Sequence, residues 1–452
     1  MASVIKLKKG LDINLEGAAQ QQWTSVREDA VFTLVPDDFV GVKPKVMVKP
    51  GDTVKAGDVL MTDKVRPEIK FVSPVSGTVE AVSRGERRKV EGIVVRKDGK
   101  GASVELAALD PAKASAAEVK ARLLDSGTWP LLRQRPYACV AEPETEPRDI
   151  FVTCLETAPL APDFDFVVKG QEADLQRGLT ALARLTKGKV YVGVRKGSPL
   201  ASALKDVEVY EFDGPHPAGN VGVQINHIKP INKGEVVWTA AGQDVIVMGR
   251  ALSGKIDFTR CITIAGSEIV TPAYAKVLPG SSIESLVAGK VKQVEYRQRY
   301  VAGNVLTGQN AGREGTLGQQ DTTVTVIPDG CDVDELFGWA TPGLNRYSTS
   351  GSSLSKLFGL TQRKLWKLDA RLKGGPRALI VSGEWEKVFP MDIYPEHLYK
   401  AVLAYDIDQM EALGIYEVAP EDFALCEFVD ASKTPVQQVI ADGLARLKKE
   451  ME

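Results

Sequence analysis

The sequence predicts an α+β chain of several domains: a small β barrel-sandwich, an α/β Rossmann-like domain, a β-grasp unit and a helical end. Three observations predict it. Residues 31–100 hold short apolar runs split by Gly, Pro and Asp, the pattern of a small barrel or sandwich. From Asp149 to about Lys255, strand candidates alternate with an amphipathic helix, which reads as a layered α/β domain. The last stretch, Pro395 to Glu452, carries helical periodicity. A length of 452 residues fits about three domains at ~150 residues each.

The barrel strands are expected at Val31 to Val35, Lys45 to Val48, Val54 to Leu60, Ile69 to Val72, Thr78 to Val82 and Gly92 to Arg96. Lys49-Pro50-Gly51-Asp52 is a turn, because Pro sets φ and Gly accepts positive φ. Within Val48 to Val79, a GD-x-V-x-x-G-x-x-L half precedes SP-x-x-G-x-V, which resembles the biotinyl/lipoyl carrier fold. Carriers hold a lysine on a tight hairpin between the halves, and Lys64 is the candidate. It lies nine residues before Ser73, a longer gap than a tight carrier hairpin has. An unmodified scaffold and a swinging cofactor arm both remain open readings.

A helix is expected next, with Asp110 as cap, Pro111 in the first turn and Gly127 past its end. Strands are expected at Ile150 to Leu155, Lys189 to Val194, Val207 to Phe212, Glu235 to Trp238 and Asp244 to Met248. Gln171 to Thr186 is a helix, with Leu175, Leu179, Leu182 and Leu185 on one face. Cys261 to Ala265, a short helix opened by Leu278-Pro279-Gly280-Ser281-Ser282, and Tyr300 to Gly308 make the β-grasp. Leu354 to Leu372 fits a helix face and a strand equally. The final helices are expected at Glu396 to Leu413, Glu421 to Cys426 and Pro435 to Lys449.

Lys and Arg total 57 against 59 Asp and Glu, a net charge of −2. That balance gives no electrostatic footprint for nucleic acid. No run approaches the ~18 apolar residues of a membrane span; Val245 to Met248 and Ala378 to Val381 are strand-length. Met1 to Asn14 lacks the apolar core of a secretory signal. The five cysteines are far apart with no CxxC, so neither a zinc knuckle nor an iron–sulfur run is written here. So few cysteines point to a reducing compartment.

No self-sufficient active site stands out. His216 sits in Asp213-Gly214-Pro215-His216-Pro217-Ala218-Gly219, a rigid, shaped turn that is either a ligand-facing loop or a structural connection. His227 shows no metal-ligand spacing with it, and His397 reads as a helix-start residue. There is no GxGxxG after a strand and no GxxxxGK[ST]. Asn310 to Gly315 reads as a loop. Thr349 to Ser353 reads as a linker or as an anion-holding turn. Lys356, Arg363, Lys364, Lys367, Arg371 and Lys373, with Trp366, form a solvated face or a contact for a membrane or acidic partner. Trp129, Arg133 and Arg135 mark a ligand loop or an interdomain strut.

The order of modules resembles the NADH-binding flavoprotein subunit of respiratory complex I and its relatives, and most closely the A subunits of sodium-translocating NADH:quinone oxidoreductases. Ile5 to Asp12, Asp125 to Trp129, Phe212 to Gly219, Val301 to Gly308, Glu335 to Ala340 with Pro342-Gly343, and Ala424 to Cys426 carry the resemblance. The stretch from Ile262 to Leu286 is similar to the soluble-ligand-binding β-grasp (SLBB) module. The implied fold is an α+β multidomain chain. It comprises a barrel-sandwich hybrid (lipoyl-like) domain at 1–105, an α/β domain at 106–258 and an SLBB β-grasp at 259–330. A linking region at 331–394 and a C-terminal helical domain at 395–452 complete it.

The resemblance also implies a function. The complex oxidises NADH, reduces ubiquinone and exports sodium. Its A subunit docks on the membrane-embedded B subunit, at the cytoplasmic side of the bacterial inner membrane. The NADH, FAD, FMN, riboflavin and iron–sulfur chemistry lies on other subunits. Flavin-bearing relatives hold a glycine-rich loop where this chain has Ser126-Gly127-Thr128-Trp129-Pro130, and a cysteine cluster where it has only Cys426. The expectation is therefore a redox-inactive scaffold, not catalytic alone, that contributes to quinone binding. His216 and Trp339 are the quinone-binding candidates, because they sit in the most specific stretches. An electron carrier like the C subunit of the Rnf complex, a non-enzymatic binding adaptor, and a lipoyl or biotin carrier are the competing readings.

Overall fold

Two small antiparallel sheets build the first module of the computed structural model, which describes residues 3–333, 346–349, 354–357 and 359–451. One sheet runs Val31–Leu34, Val90–Lys97, Gly77–Arg84, Thr53–Val54; the other runs Pro44–Val46, Val59–Asp63, Lys70–Val72. Phe32, Leu60, Met61, Phe71, Ile93 and Val95 fill the space between them. The expected turn is present: Gly51 takes a φ of +96° and Asp52 accepts from Lys49 N at 2.8 Å.

A seven-stranded sheet forms the second module. Ser3–Lys6, Glu208–Asp213, Val190–Arg195, Ile150–Cys154 and Val237–Ala241 run parallel, and Arg133–Arg135 and Cys139–Val140 extend it antiparallel. Strand order reverses between Ile150–Cys154 and Val237–Ala241, the switch point where open α/β sheets bind ligands. The third module is a six-stranded sheet in the order Gln309–Asn310, Gln298–Ala302, Thr323–Pro328, Arg260–Ala265, Ala273–Val277, Gln20–Trp23. Ser282 caps its helix Ile283–Val287, accepting from Ser285 N at 3.3 Å.

The first residues of the chain do not stay with the barrel. Ser3 pairs beside Tyr210 in the α/β sheet, and Gln20 beside Ala273 in the β-grasp sheet. A four-residue strand carries no mark of which sheet it joins, so its sequence alone could not place it.

Several expected elements differ in the structure. Val54 to Leu60, expected as one barrel strand, is broken by a turn at Lys55 to Asp58 into Thr53–Val54 and Val59–Asp63, which join different sheets. The helix expected after Asp110 is Ala116–Asp125. Ser115 and Glu118 form a reciprocal capping box that satisfies two amides, whereas Asp110 closes a turn onto Ala112 N at 3.1 Å. Asp244 to Met248, expected as a strand, is the middle of helix Gly242–Leu252, whose every residue is buried. Its continuous apolar run, Val245 to Met248, is a pattern that a buried strand and a buried helix share. The helix lies against Glu172–Leu182 through Gly178 and Gly249, where an added Cβ would strike the opposite backbone. At the end, one expected helix divides into Pro395–Ala404 and Ile407–Ala412, because Tyr405 takes a φ of +55° and Asp406 caps the second.

Among the described residues, Leu354 to Leu372 forms neither one continuous helix nor a strand. Helical turns at Leu354–Leu357 and Leu360–Arg363 precede an extended stretch in which Trp366 bridges to Leu15. Ala378 to Val381 forms no strand. The closing helix is Val436–Met451. One apolar cluster joins it and the preceding helices to Leu7, Ile13 and Leu15. Among the described residues, no helix is long and apolar enough to cross a membrane.

Candidate functional site

His216 follows strand Glu208–Asp213, at the carboxyl-end crest of the parallel sheet. It is buried, with Nδ1 3.1 Å from Thr157 Oγ1. Its backbone N donates to Asp12 Oδ1 at 2.9 Å, and its carbonyl accepts from Leu11 N at 2.8 Å. Burial pulls the imidazole down to about 4, which leaves it neutral at physiological pH. Gly10, at a φ of +136°, passes so close to the His216 carbonyl that no side chain fits there. The crest is thus packed with the chain's own residues: Leu155, Phe212 and Ala218 meet Leu7, Ile13 and the C-terminal helices.

At the switch point, helix Gly242–Leu252 presents its N-terminus to the β-grasp. Asp244 caps it, accepting from Ala241 N at 3.2 Å, and pairs with the buried Arg260. The Gln243 amide clamps Cys261, donating to its carbonyl at 2.9 Å and accepting from its N–H at 2.8 Å. Glu156 accepts from Thr322 Oγ1 at 2.6 Å, and burial raises it to about 7.

The remaining candidates are placed as follows. Trp129 is fully buried; its Nε1 donates to Ala141 O at 2.8 Å and its ring meets Trp238 edge-on at 5.2 Å. Arg135 is a strut to the helical end, with Nη1 2.8 Å from Asp422 Oδ2 and Nη2 3.2 Å from Glu421 Oε1. Lys64 is exposed on the hairpin between Val59–Asp63 and Lys70–Val72. That hairpin is strapped down, since Arg66 pairs with Glu142 at 3.0 Å and Glu144 at 2.6 Å. Of the basic stretch, Lys367 pairs with Glu268 at 2.9 Å, Arg371 with Asp369 at 2.6 Å, and Trp366 is buried. His227 Nδ1 contacts Val223 O at 2.9 Å, and no group of described residues could hold a metal ion. Trp339, the stretch 335–340 around it, and residues 350–353 of the Ser/Gly loop lie outside the described residues.

One feature escaped the sequence. Where barrel, α/β domain and β-grasp meet, Phe32, Phe39, Phe71, Leu131 and Phe258 line a slot with Gln319 as its polar wall. Phe39 meets Phe71 edge-on at 4.5 Å. Its volume of about 20 Å³ is room for about one water. The aromatic and aliphatic lining residues read as ordinary core in the sequence; only their meeting across three modules makes a slot.

These modules define the class of the chain: an α+β protein that joins a barrel-sandwich to an α/β domain and a β-grasp. The family model for the NqrA N-terminal barrel-sandwich hybrid domain matches residues 5–98. Those for the NqrA second alpha/beta domain and the NQRA C-terminal domain match 114–256 and 261–313. The A subunit of the Na(+)-translocating NADH-quinone reductase from Yersinia pseudotuberculosis serotype O:1b is 36% identical, covering 99% of this chain and 100% of its own. Those from Hahella chejuensis and Neisseria meningitidis serogroup B are 36% and 34% identical over the same shares. The chain belongs to the family of Na(+)-translocating NADH-quinone reductase A subunits.

Proposed function

We propose that this chain serves as the peripheral A subunit of a complex that oxidises NADH, reduces ubiquinone and exports sodium. The end-to-end likeness to curated A subunits carries the reading. In it, the chain docks on the membrane-embedded B subunit at the cytoplasmic face and acts as a scaffold with no redox group of its own. The residues present do not suit a flavin phosphate. The Asp244 carboxylate, paired with the buried Arg260, already occupies the helix N-terminus at the switch point. Trp129 and Pro130 are spent on the core, and Cys426 is a lone buried thiol.

The visible spectrum of the purified chain, followed by acid release, tests this. No flavin or iron band is expected. A stoichiometric flavin band would overturn the scaffold reading.

Quinone contact is the finer part of the proposal. A headgroup suits an apolar slot with few polar groups, which favours the Phe32–Phe39–Phe71 slot and its Gln319 amide. His216, hydrogen-bonded and buried at the crest, then acts by positioning the loop around it, and Trp339 keeps the contact role its sequence suggests. Gln319→Leu in the assembled complex is expected to raise the KM for ubiquinone-1 about tenfold with little change in kcat, since one hydrogen bond is worth ~1 kcal/mol or somewhat more. An unchanged KM would remove the slot from the reading.

A further inference from the structure

The slot must widen to take a ligand. Pockets for small molecules usually enclose ~300–1,000 Å³, against about 20 Å³ here. The contact between barrel and β-grasp borders it, through Phe32, Pro279 and Gln319. Three hydrogen bonds cross that contact from residues 29–38. Asp29 Oδ2 accepts from Ser282 N at 2.6 Å, Thr33 N donates to Gly280 O at 3.0 Å, and Asp38 Oδ2 accepts from Gln319 N at 2.8 Å.

The two carboxylates in this set differ. Burial works against the charge on Asp29, but hydrogen bonds from Ser282 and Val31 and the nearby Lys97 together outweigh it and hold the group below the usual carboxylate range. Asp38 is surrounded differently. Burial pushes it up to about 6, and Asp321 and Asp37 add repulsion; the Gln319 N–H and Arg133 offset this only in part. Asp37 is itself engaged by Lys89 at 2.5 Å. Asp321 Oδ2 takes the neighbouring amide, Gly318 N, at 2.8 Å. Burial raises Asp321 as well, and the cation facing it, Arg260, is already paired with Asp244. Two carboxylates therefore sit on consecutive amides of one turn, beside the slot residues Phe39 and Gln319.

We propose that Asp38 and Asp321 form a proton-operated latch on the slot, shut while the pair holds a proton and released when both carboxylates are ionised. The functional meaning of the latch rests on the slot being the quinone site; its operation does not. The closed form binds the proton more tightly than the open form. Closure is therefore fully favoured below the ordinary carboxylate range and is lost as pH rises through about 6. Asp29–Ser282 keeps its bond over that range and serves as the hinge side.

Amide hydrogen exchange on the full chain tests this between pH 5 and 8, after correction for intrinsic base catalysis. The opening equilibrium at Gly318 and Gln319 is expected to rise with pH, by up to about tenfold per unit for one linked proton, while the Ser282 amide stays flat. Asp38→Asn keeps an acceptor for Gln319 but removes the charge, so the rise should vanish there. A flat Gln319 in the unmodified chain, or an undiminished rise in Asp38→Asn, overturns the latch. Asp321→Asn provides the same test should the first variant fold poorly. A parallel series with ubiquinone-1 separates the two ideas. Protection of Gln319 by the quinone supports slot and latch together; a pH step without protection sinks the slot assignment and leaves the latch standing.

Discussion

Replacing Arg135 with Ala is expected to cost about 3–5 kcal/mol of stability, the penalty for stranding a buried charge. The guanidinium is almost wholly enclosed, and it holds Asp422 Oδ2 at 2.8 Å and the Glu417 carbonyl at 2.7 Å. Asp422 is as deeply buried, and its Oδ1 has no partner among the described residues. Removing Arg135 leaves that buried carboxylate with no cation and only the Ala419 N–H, at 3.0 Å, between the α/β sheet and the helical end. Urea unfolding measures the loss as a lower midpoint. The pair variant Arg135→Met with Asp422→Leu should recover much of it, because two apolar side chains need no desolvated charge. A single Arg135→Ala variant as stable as the unmodified chain would remove the strut from the account of how these modules are joined.

Trp129→Ala is expected to cost a similar ~3–5 kcal/mol, by opening a cavity beneath the sheet. Trp129 has no exposed surface, packs edge-on against Trp238 and donates to Ala141 O. Trp129→Phe keeps part of the packing but strands the buried Ala141 carbonyl, so about 1–3 kcal/mol is expected there. Thermal unfolding followed by tryptophan fluorescence distinguishes the two. Flavin titration of Trp129→Ala adds a sharper check: the cavity should not bind flavin, since Asp244 still occupies the helix N-terminus. Flavin uptake by this variant would mean that Trp129 fills a working cofactor site.

The parts of the fold legible in the sequence are those whose chemistry is local. Lys49-Pro50-Gly51-Asp52 dictates its own turn, and the leucines of Glu172–Leu182 mark one buried face. Helix Gly242–Leu252 is misread because its central run Val245 to Met248 is four consecutive apolar residues, which suit a buried strand as well as a buried helix. The site follows the same rule. Gly214, Pro215 and Pro217 announce that His216 lies in a shaped turn, but not that Asp12 and Leu11 would come across to close it. Phe32, Phe71, Phe258 and Gln319 come from distant parts of the chain, and nothing within any one of them foretells the others.

The seating of Ser3–Lys6 beside Glu208–Asp213 bears on how the molecule is born. A ribosome adding ~5–20 residues per second needs roughly 10–40 s to travel from one strand to the other. Gln20–Trp23 waits longer still for Ala273–Val277. Throughout that interval the earliest-made segment has no sheet to join, while the barrel behind it can already close on local contacts. Nascent chains stalled before residue 208 should therefore protect residues 31–97 from protease and leave 3–23 open to cleavage.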